Sequence, residues 1–193
     1  MKQTPTLSHG FVSVNGIKLH HVSTGKGPLV LFLHGFPEFW YAWKNVLPAV
    51  AKAGFEAVAI DMRGYNTSDK PKDISAYRLP ELIADVRGVI QTLGRGRKAI
   101  LVAHDWGGAL AWGLAAQRPA LMQRLVIINA PHPATFQREL AHSHEQQAAS
   151  AYMNFLARPD AAALLAENDF ARLWPFFTNM AADSGPVAWL DDA

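Results

Sequence analysis

Four short, uninterrupted apolar runs constrain this chain more than anything else in it: Leu29 to Leu33, Ala57 to Ile60, Ala99 to Ala103 and Leu125 to Ile128. Runs of this length without polar alternation suit strands buried on both faces, as in a parallel sheet. Helical patterns lie between them. Leu82, Val86, Val89 and Leu93 recur at helical spacing, with Pro80 near the start, where a missing N–H costs little. Leu110 and Leu114, among alanines, mark a second helix that should end before Pro119. Ahead of the first run, Phe11 to Val14 and Ile17 to His20 flank Asn15-Gly16, a strong hairpin signal. The order predicts an α/β fold: a mostly parallel, doubly wound sheet with an antiparallel hairpin at its N-terminal edge.

The texture changes after Pro131-His132-Pro133. From Ala134 on, alanine, glutamine and aromatic residues dominate and no strand-like run remains. Two regions are therefore expected, a core over residues 1–131 and a separate helical layer over 132–193. Half of the 193 residues are hydrophobic and 18% are charged, which fits a folded protein. A net charge of +2 with scattered charges marks neither a nucleic-acid nor a membrane surface. The basic stretch Arg95 to Lys98 reads as a solvated turn. The absence of cysteine excludes disulfides and thiolate metal sites. The polar N-terminus lacks the apolar stretch of a signal peptide, no apolar run would span a bilayer, and a cytoplasmic location is expected. No cofactor is expected either: Gly94-Arg95-Gly96 lacks the third glycine of a dinucleotide fingerprint. No metal is expected, because His142 and His144, beside Glu145, stand two apart and do not share a helix face.

Val102-Ala103-His104-Asp105-Trp106-Gly107-Gly108 joins a buried run to a helix. Small residues stand two before and two after Asp105. A nucleophile elbow needs this, because its strand-to-helix turn tolerates no bulk at the flanking positions. Such a turn lifts the central side chain out at the carboxyl edge of the sheet and aims it at a helix N-terminus. The simpler reading makes Asp105 an N-cap for the helix containing Trp112. His34-Gly35-Phe36-Pro37-Glu38, after the first buried run, favours the elbow. In that arrangement this loop and the residue after the nucleophile supply the two N–H groups of an oxyanion hole, here Phe36 and Trp106.

These segments, with Asp61-Met62-Arg63-Gly64-Tyr65, Ser68-Asp69-Lys70-Pro71 and Asn129-Ala130-Pro131-His132-Pro133, stand in the order seen in α/β-hydrolases of the epoxide hydrolase type. Haloalkane and haloacid dehalogenases share much of this framework. The resemblance runs from about Phe11 to Pro133. It implies the α/β-hydrolase fold with a helical cap, which would be incomplete here. Asn66 stands where relatives often have glycine; asparagine also tolerates positive φ. His34 is expected to shape its loop, and Trp40 and Trp43 to pack under it.

The resemblance implies a mechanism. Asp105 attacks an epoxide carbon and forms a hydroxyalkyl ester. Ser150-Ala151-Tyr152-Met153-Asn154-Phe155 resembles the cap helix that carries a proton-donating tyrosine, which makes Tyr152 the partner in ring opening. Plain packing is the alternative, since Ala148, Tyr152 and Phe155 form one helical stripe. Phe36, Pro37, Trp106 and Tyr152 would line a site for a small apolar epoxide, or a halide, with water as co-substrate. The family's general-base histidine and its supporting acid follow the cap and have no counterpart before Ala193. A homodimer, or association with a missing C-terminal segment, is the partner expected. Two other readings stand beside this one: a dehalogenase using the same aspartate, and a non-catalytic binding fragment that retains the elbow.

Overall fold

The hairpin forms around Asn15 and Gly16, both at positive φ (48° and 75°), in the computed structural model, which describes residues 6–178. Its strands are β1 (Ser8–Val14) and β2 (Ile17–Gly25), paired antiparallel. β2 pairs antiparallel with β4 (Glu56–Ile60), while β3 (Leu29–Leu33), β5 (Ala99–His104) and β6 (Met122–Ile128) continue the sheet in parallel. The sheet order is β1-β2-β4-β3-β5-β6. Three helices make the crossovers: α1 (Val46–Lys52), α2 (Leu79–Leu93) and α3 (Asp105–Gln117). The sequence order of strands and helices is thus realised, with α3 ending two residues before Pro119.

Strand alternation divides the core between two faces. Leu29, Leu31 and Leu33 of β3 pack with Val58, Ile60, Leu101 and the inner stripe of α2 and α3. Val30 and Phe32 point the other way, to Trp43, Leu47 of α1 and Val22. Trp43 is therefore a core residue, its ring 5.1 Å from that of Phe32. β3 is buried at every position because helices cover both its faces.

β6 departs from the expectation of a strand buried on both faces. It forms in the expected place, yet Val126 is 44% and Ile128 40% exposed. The reason is position. β6 is the last strand of the sheet among the described residues, so its apolar run has a paired strand on one side alone.

A buried ion pair ties the outer elements to the core. Arg63, just after β4, donates from Nε and Nη2 to the Asp85 carboxylate of α2 at 2.8 and 2.7 Å, and from Nη1 to the Ala76 carbonyl. Asn15 Nδ2, at the hairpin turn, donates to the same carboxylate at 2.9 Å.

Residues up to Pro133 form one compact unit, and a second begins at Ala134. Five short helices run from Pro133 to Thr178: α4 (Pro133–His142), α5 (His144–Ala149), α6 (Ala151–Leu156), α7 (Ala161–Phe170) and α8 (Trp174–Thr178). The stripe expected through Ala148, Tyr152 and Phe155 is interrupted, because the chain breaks at Ser150 between α5 and α6. Residues 179–193 of the expected helical layer lie outside the described residues. No helix among the described residues is long and apolar enough to cross a membrane.

Candidate active site

β5 ends at His104 in extended conformation, and Asp105 begins α3 at a φ of +48°. That left-handed backbone is uncommon for a residue with a β-carbon, and aspartate is among the few that adopt it. It lets a strand turn into a helix within one residue. The turn is too tight for bulk beside it. A β-carbon on Gly107 would lie 2.6 Å from the His34 carbonyl oxygen, and one on Gly35 would lie 2.5 Å from Asp105 Cβ. Gly107 N–H donates to the His34 carbonyl at 3.1 Å, locking the first turn of α3 to the loop after β3.

The helix-cap reading of Asp105 fails on this geometry. His104 occupies the cap position and makes no side-chain cap hydrogen bond, and Asp105 follows it as the first residue of α3. Instead Phe36 N–H donates to Asp105 Oδ1 at 2.9 Å. Trp106 is the second residue of α3, where a backbone N–H has no acceptor in its own helix. Phe36, Pro37, Asp105 and Trp106 are thus brought to one edge of the sheet. The Phe36–Pro37 peptide is cis.

Beside Trp106, which is 44% exposed, lies a hollow of about 220 Å³ lined also by Met62, Arg63, Tyr65, Tyr77, Leu82 and Leu110. Burial and the nearby Asp105 charge push the Tyr65 phenol up to about 12, so it stays neutral. The ring of Tyr65 stands edge-on to His34, 4.6 Å between centroids.

His34 shapes the loop. Nδ1–H donates to the Gly35 carbonyl at 2.8 Å, and Nε2 accepts from Met62 N–H at 3.0 Å. Burial lowers its basicity, so this imidazole is neutral with both nitrogens engaged. Trp40 follows the same loop, edge-on to His9.

Sequence reading missed the His104–Glu38 pair, with Nδ1 and Oε2 3.1 Å apart. The Glu38 hydrogen bond and charge raise His104 against the effect of burial. Burial alone would raise Glu38, but His104 and the Gly35 contact leave it lowered. A lowered carboxylate contributes stability that is lost as pH falls through its folded pKa. A raised imidazole contributes stability that is lost as pH rises through its folded pKa. The pair should therefore stabilise most between the two ranges. Subtracting the Tm–pH curve of Glu38→Gln from that of the parent should give a hump there, worth about 1 kcal/mol or less. A flat difference would show that the pair contributes nothing.

Tyr152 lies on α6 in the second unit, 40% exposed, with its ring 5.8 Å from that of Phe176. Among the described residues no three histidine, aspartate or glutamate side chains cluster as metal ligands.

Comparison with known proteins identifies the fold family. The family model for the alpha/beta hydrolase fold matches residues 28–178. The AB hydrolase superfamily protein YfhM of Bacillus subtilis is 45% identical over 166 residues, covering 84% of this chain and 58% of that protein. Epoxide hydrolase 1 of Caenorhabditis elegans is 46% identical over 147 residues, covering 75% and 36%. The crystal structure of a Bacillus megaterium epoxide hydrolase bound to an inhibitor superimposes with a TM-score of 0.83 at 37% identity, covering 91% of this chain and 63% of that one. The chain thus spans from about a third to under two thirds of the length of these relatives. With a strand-to-helix elbow at Asp105, a parallel sheet behind it and a family match over most of its length, the chain belongs to the α/β-hydrolase fold family.

Proposed function

We propose that the chain carries the nucleophilic half of an epoxide hydrolase, with Asp105 forming the covalent ester. The observation that carries this reading is the 2.9 Å hydrogen bond from Phe36 N–H to Asp105 Oδ1. It fixes one carboxylate oxygen and leaves the attack to the other. Oδ2 bonds to an epoxide carbon, the ring C–O bond breaks, and its electron pair stays on oxygen. The resulting alkoxide takes a proton from the Tyr152 phenol, which water restores. A carboxylate ionised at neutral pH needs no base for this displacement.

After the attack, Oδ1 is the ester carbonyl oxygen and already stands at the Phe36 N–H. Water adding to that carbonyl would place negative charge on Oδ1, where Phe36 and Trp106 N–H groups stabilise it. One such donor is typically worth about 3 kcal/mol. This addition needs a base. Two of the chain's eight histidines stand beside the site: His34, both of whose nitrogens are committed, and His104, whose Nδ1 is held to Glu38.

The ester should therefore outlive the reaction that makes it. Incubation with styrene oxide should add the mass of the whole epoxide, and peptide mapping should find it on Asp105. Repeated turnover by the 193-residue chain would overturn this. An alkyl adduct from a bromoalkane, with halide released and none from the epoxide, would assign a dehalogenase instead. No adduct from folded protein would leave the binding-fragment reading. The similarity to epoxide hydrolases favours the epoxide.

A further inference from the structure

The loop that carries the Phe36 N–H is held at both ends by two adjacent residues after β4. At its start, Met62 N–H donates to His34 Nε2 at 3.0 Å. At its end, Trp40 N–H donates to Asp61 Oδ1 at 2.9 Å. Between them Glu38 N–H donates to the Gly35 carbonyl at 3.0 Å, so the span is a closed turn. Asp61 is wholly buried, and its other oxygen is also engaged. Oδ2 accepts from His20 Nδ1–H at 2.7 Å and from Asn66 Nδ2–H at 2.8 Å. A buried carboxylate with three donors is rigid, because each donor fixes its direction.

The chain of contacts continues outward and returns. His20 Nε2 and His9 Nδ1 are 3.0 Å apart. With its Nδ1–H committed to Asp61, His20 meets His9 through Nε2, which links β2 to β1. The His9 ring then stands edge-on to Trp40, 5.3 Å between centroids. Trp40, Asp61, His20 and His9 thus form a closed ring joining the hairpin to the loop.

We propose that Asp61 is a positioning residue which, with Met62, sets where the Phe36 N–H stands over Asp105 Oδ1, and that His20 and His9 hold Asp61 from the hairpin side. Its chemical consequence rests on the Asp105 ester; its structural consequence does not. Asparagine at 61 offers one accepting oxygen where three donors converge, so Trp40 or the His20–Asn66 side loses its acceptor.

The test compares the parent with Asp61→Asn, His20→Asn, His20→Leu and His9→Leu by amide hydrogen exchange. A second reading is the rate at which hydroxylamine cleaves the Asp105 ester formed with styrene oxide. A structural role alone would weaken every amide together, so Val58→Ala serves as a fold-weakening control. Asp61→Asn and His20→Leu should speed exchange at Phe36 and Trp40 about tenfold beyond that control. Asp61→Asn should also slow hydroxylamine cleavage about tenfold. His20→Asn retains a donor toward Asp61 and should stay within about twofold of the parent. His9→Leu removes the partner of His20 Nε2 and the ring beside Trp40, and should speed exchange at Trp40 about twofold or more beyond that control. Exchange at Phe36 and Trp40 that merely tracks the control would overturn the proposal. If the parent forms no ester, the epoxide reading fails and the exchange data alone decide this one.

Discussion

Asp105→Asn should abolish capture of an epoxide, lowering the rate of adduct formation by about 10⁴-fold or more, with no loss of folding. The substitution isolates chemistry from structure. Asparagine has nearly the same shape, it tolerates the φ of +48° that the elbow imposes, and its carbonyl oxygen can still accept from Phe36 N–H. What it lacks is a charged oxygen able to displace carbon. Intact mass after incubation with styrene oxide measures the effect, and the thermal midpoint checks the fold. Equal labelling of parent and variant would place the reactive group elsewhere and remove the nucleophile from the reading.

Asp85→Ala should cost about 3–5 kcal/mol of stability, the largest effect expected outside the apolar core. Arg63 would keep its charge in a site where its side chain is 4% exposed, and its two strongest acceptors would be gone. Asn15 would lose a partner at the same time. Removing both charges should cost much less, since Arg63→Met with Asp85→Leu leaves nothing charged in the interior. Urea midpoints for the two variants separate the cases. A cost below about 1 kcal/mol for Asp85→Ala would mean that water reaches the guanidinium.

Much of this architecture was legible because its signals are local. Asn15-Gly16 carries its turn in two residues, and the four apolar runs carry their strands in four or five. The elbow was legible for the same reason: Ala103, Asp105 and Gly107 lie within five residues. The positive φ of Asn66, 41°, followed from its side chain. Its second task, donating to Asp61, did not. Contacts that depend on the folded chain left no local trace. Asp61 meets His20 across 41 residues, Arg63 meets Asp85 across 22, and His104 meets Glu38 across 66. Each looks like an ordinary surface charge until the sheet assembles. β6 misled for a related reason. An apolar run reports the burial it is suited to, whereas exposure depends on which strand lies beside it.

Among the described residues, the two margins of the sheet differ in chemistry. The margin at β1 presents Ser8, His9 and Ser13 outward and carries its exposed Phe11 under the Lys18 ammonium. Charge and polarity there discourage another strand from pairing. At β6 the backbone groups face outward beside exposed Val126 and Ile128. Among the described residues, the margin at β6 is therefore the one whose chemistry suits pairing with a further strand.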